Sequence, residues 1–258
     1  FTSNLGIYVE GPDGRRVQNV RPGDSYETVE RNVREAISNH FRYTLSYFLG
    51  IEHSQGKIFH NGHFCNVADY PISINFNKFF DAYNASSISK GRKSLTEKYK
   101  NTQLIFSVDR LDYTKGIVNR LAAFEKLLEE HTGYKEKIVF IMNVVPSRDA
   151  ISKYSQRKKM IEENIGRING KYGNTDWQPI IYQYRHLSFS QLLTFYTSCH
   201  VALVTPLRDG MNLVAKEFVA SRADRKGVLI LSEMAGVANE LEMAIIVNPT
   251  DINKLKES

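Results

Sequence analysis

The stretch Leu104-Ile105-Phe106-Ser107-Val108, followed at once by Asp109-Arg110-Leu111-Asp112-Tyr113-Thr114-Lys115-Gly116, decides the fold. A short, mostly apolar run of strand-forming residues enters a polar turn that ends in glycine, and from 117 to 130 the apolar residues fall at helical spacing. The same unit recurs downstream. Strands are predicted at 104–108, 138–144, 180–184, 201–204, 228–231 and 245–247, and helices at about 117–130, 150–172, 190–198, 213–221 and 237–241. This alternation specifies an α/β fold with a Rossmann-like, doubly wound parallel sheet, because parallel neighbours need a covering crossover between them. Such sheets bind ligands beyond the carboxyl ends of their strands, so chemistry is expected in the loops that follow each strand.

Upstream the pattern differs. The first twenty-five residues are rich in turn formers around short β-like pieces such as Gly6-Ile7-Tyr8-Val9, which suggests a hairpin. Val29, Val33, Ile37, Phe41, Leu45 and Phe48 recur at helical spacing, predicting a helix over 25–49 that Gly50 ends. Residues 57–60 and 63–67 flank Asn61-Gly62 and read as a hairpin, since Asn-Gly readily takes positive φ. Pro71 makes 70–74 an edge or a crossing. Between 84 and 100 the chain turns polar, with few apolar anchors, as a solvated helix would. A domain junction is therefore placed near residue 75, dividing the chain into 1–74 and 75–258.

The 258 residues are 42% hydrophobic and 24% charged, which argues against a disordered or collagen-like chain. The excess of 34 Lys and Arg over 28 Asp and Glu is modest and not gathered into one block, so anionic small molecules are favoured over nucleic acid. No run approaches the roughly 18 apolar residues of a membrane span. Cys65 and Cys199 permit at most one bridge and read as small packed side chains, which favours a reducing, cytoplasmic setting. His53, His60, His63 and Cys65 match no zinc spacing, so no metal is expected. Trp177, Tyr182, Tyr184, Phe189, Phe195 and Tyr196 read as packing, and Arg157-Lys158-Lys159 as the wet face of a helix.

Three of the post-strand loops carry unusual residues. In the first, Arg110 and Lys115 lead into a helix start, where unpaired amides and the helix dipole already favour an anion, so the pair suits a diphosphate. A plain surface ion pair with Asp109 or Asp112 is the competing reading. In the second, Val145-Pro146-Ser147-Arg148-Asp149 presents a guanidinium shaped to grip a phosphate by two parallel hydrogen bonds. In the third, Asp209 precedes Gly210 and the amides of Met211, Asn212 and Leu213, with Glu217 about one helical turn farther on. Two carboxylates flanking a run of amides describe a sugar nucleotide site; an ordinary helix cap at Asp209 is the alternative.

Four long motifs, residues 107–116, 166–173, 204–217 and 227–236, resemble the trehalose-6-phosphate synthase family of retaining GT-B glycosyltransferases. The likeness runs from about Tyr70 to Pro249. It implies a donor domain for UDP-glucose, with Arg110 and Lys115 on the diphosphate, Asp209 on the glucose hydroxyls, and Gly210, Met211, Asn212 and Leu213 offering amides to sugar and phosphate. It further implies Glu217 on the ribose, His186 and Leu187 beside the uracil, and Arg148 on the phosphate of glucose 6-phosphate. The activity implied is transfer of glucose to glucose 6-phosphate with retention, without a metal or other cofactor. A homo-oligomer or a trehalose-phosphate phosphatase partner stays open. The family's His-Asp-Tyr-His-Leu motif does not occur, so the chain is expected to be a fragment, 1–74 being the remnant of the acceptor-side domain and 75–258 the donor domain. The alternatives are a related enzyme such as a glucosylglycerol-phosphate synthase, or a non-catalytic regulatory subunit.

Overall fold

The computed structural model describes residues 8–10, 16–18, 42–48, 50–51, 53–54, 57–66, 72–147 and 152–258. The chain divides into two compact units, Phe1–Ile72 and Ser73–Ser258.

In the first unit, β1 (Tyr8–Glu10) pairs antiparallel with β2 (Arg16–Gln18), Tyr8 opposite Gln18. Residues 42–48 are helical (α1), and Gly50 follows at φ 63°, its N–H donating to the Ser46 carbonyl at 3.1 Å. The earlier part of the helix predicted over 25–49 lies outside the described residues. A three-stranded antiparallel sheet comprises β3 (His53–Ser54), β4 (Lys57–His60) and β5 (His63–Asn66). Asn61 and Gly62 take φ of 49° and 78°, the type I′ signature, which sets His60 directly opposite His63.

The second unit opens with α2 (Phe76–Ala82), capped by Asn75, and α3 (Ser86–Lys98). Sequence patterning missed α2. The helix expected between 84 and 100 is present but not merely solvated, because Ile88 is buried and α3 packs along α6. Six strands follow: β6 (Gln103–Arg110), β7 (Ile138–Val145), β8 (Ile180–Tyr184), β9 (Val201–Val204), β10 (Val228–Ser232) and β11 (Ile245–Val247). All pair in parallel, in the order β11-β10-β9-β6-β7-β8. Counted along the sheet this is the 3-2-1-4-5-6 arrangement, whose direction of winding reverses between β6 and β9.

The covering helices are α4 (Ile117–Glu130), α5 (Ser152–Tyr172), α6 (Phe189–Ser198), α7 (Leu213–Ser221) and α8 (Ile252–Glu257). They form two packed groups, α4 with α5 and α8, and α6 with α3 and α7. β6 shows how the sheet separates them. Phe106 stacks on Phe195 and meets Tyr196 of α6, whereas Asp109, at odd spacing, reaches Arg120 of α4. Interior strand β7 reads Ile-Val-Phe-Ile-Met-Asn-Val-Val and is buried almost throughout, as a strand covered on both faces must be.

Two boundaries differ from expectation. Asp109 and Arg110 belong to the end of β6 rather than to a loop, because their backbone continues the ladder to Val144 and Val145. The helix predicted over 237–241 is a 3-10 turn at Gly236–Asn239, tied down by the Gly236 and Val237 N–H groups donating to the Asp209 and Met211 carbonyls of the loop after β9. Trp177 is buried and donates its indole N–H to the Ile138 carbonyl at 2.9 Å, while Phe189 is more open than a core residue, with Lys78 over its ring. Arg157-Lys158-Lys159 does form a wet face, with Lys158 and Lys159 pairing one turn on with Glu162 and Glu163.

Candidate functional site

The site forms where the two halves of the sheet diverge. After β6, Asp112 caps a 3-10 turn (Tyr113–Lys115) by accepting from the Thr114 N–H and hydroxyl, each at 2.9 Å. Burial works to raise the Asp112 pKa, but these two bonds and the nearby Lys115 outweigh it and hold the carboxyl below its ordinary value. Gly116 then turns the chain into α4 at φ 65°, and a Cβ there would stand 2.4 Å from the Thr205 carbonyl oxygen. Only glycine combines that backbone conformation with so close an approach. The loop after β9 is fastened to the same turn, the N–H groups of Leu207 and Arg208 donating to the Thr114 carbonyl at 2.7 and 3.3 Å.

This stitching brings Lys115 Nζ to 2.6 Å from Asp209 Oδ2, both side chains being about one-sixth exposed. Asp209 is a hub. Its Oδ1 accepts from the Met211 N–H at 3.3 Å and its Oδ2 from Asn212 Nδ2 at 3.1 Å. The cap of α7 is Asn212, not Asp209: Asn212 sits at φ 74° and its side chain accepts from the Ala215 N–H at 3.1 Å. Among the described residues no acceptor meets the N–H groups of Gly210, Asn212 or Leu213, which leaves a cluster of donors beside the lysine. A Cβ at Gly210 would meet nothing within 4 Å, so the space before its backbone is open. Behind it, Gly236 lies so close that a Cβ would be 2.1 Å from the Gly210 carbonyl oxygen, and its N–H donates to the Asp209 carbonyl at 3.0 Å.

Arg120 supports this corner from inside. It is only 1% exposed, yet its guanidinium meets Asp109 Oδ2 at 2.5 Å, the Leu203 carbonyl at 3.4 Å and the Lys115 carbonyl. One buried cation thus ties β6, β9 and the Lys115 turn together. Burial raises the Asp109 pKa, opposed by Arg120 and Lys115.

Glu217 stands on the second turn of α7, half-buried, with Oε2 accepting from the Tyr196 hydroxyl at 3.1 Å. Burial raises its pKa, against the Tyr196 hydrogen bond and the charge of Lys78. At the other end of the rim, buried Asn143 on β7 donates to the Arg185 carbonyl at 3.2 Å and so anchors the turn of His186 and Leu187. His186 is exposed and Leu187 leans on the core. Three strand spacings separate β9 from β8, about 14 Å along the rim.

Of the residues singled out from sequence, Lys115, Asp209, Gly210, Met211, Asn212 and Leu213 come together, with Glu217 beyond them on α7. Arg110 ends β6 at the same rim, exposed, and makes no ion pair or side-chain hydrogen bond with a described residue. The competing surface pair with Asp109 or Asp112 does not form: Lys115 pairs with Asp209, and Asp109 with Arg120. Arg148 lies outside the described residues. Arg120 and Asn143, which brace this rim, were missed; Tyr196, read as packing, is in the core and also donates to Glu217. A signal existed for Arg120, a charge set among Ile117, Leu121, Phe124 and Leu128 on the buried stripe of α4. Among the described residues no three His, Cys, Asp or Glu side chains gather as metal ligands, and no helix is long and apolar enough to cross a membrane.

A doubly wound α/β domain with a lysine, an aspartate and unpaired amides at its switch point belongs to the class that holds polar, anionic ligands there. Comparison with known proteins gives the family. The profile of glycosyltransferase family 20 matches residues 34–258, and the chain belongs to that family. It is 42% identical over 221 residues to the bifunctional trehalose-6-phosphate synthase/phosphatase of Thermoproteus tenax, covering 86% of this chain and 30% of that protein. Among solved structures, an alpha,alpha-trehalose-phosphate synthase (UDP-forming) from Burkholderia xenovorans in complex with glucose-6-phosphate has TM-score 0.73 at 35% identity, covering 90% of this chain and 56% of that one. A structure described as trehalose-6-phosphate from E. coli bound with UDP-2-fluoro glucose has TM-score 0.71 at 39% identity, covering 80% of this chain and 46% of that one. The chain therefore spans between about a third and just over half the length of these relatives.

Proposed function

We propose that this chain is the donor-side part of a retaining glucosyltransferase that moves glucose from UDP-glucose to glucose 6-phosphate, giving trehalose 6-phosphate and UDP. The observation that carries the reading is the meeting of Lys115, Asp209 and the unpaired amides of 210–213 at the sheet's switch point. The family membership and the ligands named for its solved relatives support the choice of substrates.

Laid along the rim, the donor would set its glucose hydroxyls against Asp209, its diphosphate against Lys115, Arg110 and the amides, its ribose at Glu217 and its uracil at the backbone of 185–187. As the anomeric C–O bond breaks, negative charge grows on the leaving diphosphate. Fixed cations and amides aimed there stabilise the transition state more than the ground state. These groups supply the positive charge, so the reading calls for no metal. The leaving phosphate would take the proton of the acceptor hydroxyl as the new bond forms on the same face. Arg148 is assigned to the acceptor's phosphate, the first unit to the remnant of an acceptor-side domain, and a phosphatase partner or a second copy remains part of the proposal for the whole protein.

Calorimetric titration of UDP into this chain tests the donor site. Binding is expected, with Lys115→Ala weaker by about tenfold or more; a folded chain that does not bind UDP overturns the assignment. In the full-length enzyme, Arg148→Ala should shift the glucose 6-phosphate saturation curve to higher concentration, and an unmoved curve removes Arg148 from the site.

A further inference from the structure

Tyr196 is among the most deeply buried aromatic side chains of the described residues, 1% exposed. Its ring is set edge-on to Phe106 of β6, centroids 5.8 Å apart, and to Phe218 of α7 at 6.1 Å. Packed between these two rings at 1% exposure, the tyrosine has its hydroxyl positioned by the core. That hydroxyl emerges beside α7 and donates to Glu217 Oε2 at 3.1 Å. Burial keeps the phenol protonated far beyond its ordinary range, so it acts as a donor at every working pH. The Glu217 carboxylate is thereby held by one oxygen, and no described residue donates to the other, Oε1. The charge that acts on it is that of Lys78 on α2, which favours the ionised form.

A glutamate on an exposed helix turn would sample several rotamers, each costing entropy when a ligand selects one. A carboxylate pinned at Oε2 presents Oε1 and the remaining lone pair of Oε2 in one orientation, which suits a pair of neighbouring hydroxyls on a sugar ring. We propose that Tyr196 is a positioning residue for Glu217, preorganising its carboxylate for the ribose diol of the donor nucleotide. This rests on the reading that Glu217 meets the ribose. Tyr196 touches no substrate in this arrangement and acts only through Glu217.

The test uses this chain, with UDP and 2′,3′-dideoxy-UDP as probes, titrated into the unmodified protein, Tyr196→Phe, Glu217→Ala and the double variant. Phenylalanine keeps the ring contacts, and an unchanged melting profile with intact near-ultraviolet dichroism verifies the core. Tyr196→Phe is expected to weaken UDP by about three- to tenfold, the cost of ordering one rotamer-rich side chain on binding, and dideoxy-UDP by less than about twofold. In the Glu217→Ala background, adding Tyr196→Phe should cost UDP nothing further, because the two residues act as one unit. Equal weakening of both probes, no weakening of either, or an undiminished Tyr196→Phe effect beside Glu217→Ala overturns the proposal. If the unmodified protein binds the two probes equally, the ribose assignment of Glu217 falls and the proposal with it. If it discriminates, Glu217→Ala abolishes the discrimination and Tyr196→Phe does not, only the positioning role is lost. Should Tyr196→Phe fold poorly, Glu217→Gln, which keeps an acceptor for the phenol, must then bind UDP more tightly than Glu217→Ala for the proposal to stand.

Discussion

Lys115 and Asp209, 94 residues apart in the chain, meet at 2.6 Å across the boundary between β6 and β9. A lysine whose charge is already matched by a carboxylate is not idle. On the proposed reading, a diphosphate arriving at this corner would compete with Asp209 for the same ammonium. Asp209→Asn should therefore leave UDP binding intact or strengthen it a few-fold, whereas Lys115→Ala weakens it by about tenfold or more. The same Asp209→Asn should abolish glucose transfer in the full-length enzyme. Calorimetry on the two variants decides the matter; equal losses of UDP affinity would show that Asp209 does not compete for Lys115.

Arg120 and Asp109 form a pair inside the core, and breaking such a pair strands a buried charge. Arg120→Met is expected to cost about 3–5 kcal/mol in urea unfolding. Arg120→Met combined with Asp109→Leu should recover most of that loss, since two apolar side chains leave nothing unpaired. Additive losses in the double variant would contradict a direct coupling.

Gly116→Ala introduces both a side chain at φ 65° and a Cβ 2.4 Å from the Thr205 carbonyl oxygen. Neither the backbone of β9's loop nor the start of α4 can yield without disturbing Lys115. A loss of about 2–4 kcal/mol is expected, together with weaker UDP binding. A loss below about 1 kcal/mol would mean the corner relaxes freely.

Burial raises the pKa of Glu217 above its ordinary 4.5, with Tyr196 and Lys78 acting in the opposite direction. The fold therefore favours the protonated form. The stabilising contribution is complete below the ordinary value and is lost as pH rises through the raised one, so at neutral pH the charged form is carried at a cost. Glu217→Gln, which does not titrate, should melt roughly 1–3 °C higher at pH 7 and show no such gain at pH 4, while binding UDP less well. A lower melting temperature at pH 7 would reverse the sign of the argument.

Much of this architecture is written in local pattern. The strand at 104–108, its glycine-ended turn and the stripe Ile117, Leu121, Phe124, Leu128 are each decided by residues within a few positions of one another, so β6 and α4 were legible as a pair. The Asn61-Gly62 turn was legible for the same reason. By contrast α2 carries too short an apolar pattern to distinguish it from a linker, and the 3-10 turn at Gly236–Asn239 owes its form to backbone bonds it donates to the Asp209 and Met211 carbonyls rather than to its own composition.

Sequence alone determined the alternation of strands and helices, the rim on which function should sit, and the residue types gathered there, because periodicity and turn chemistry act over one or two turns of chain. Only the tertiary structure decided that β9 lies against β6, that Lys115 answers to Asp209 and Asp109 to Arg120, and that Glu217 is held by Tyr196. Strand order and the choice among several carboxylates for one cation depend on which buried charges and hydrogen-bonding groups end up within 3 Å of each other, and that distance is a property of the packed core, not of spacing along the chain.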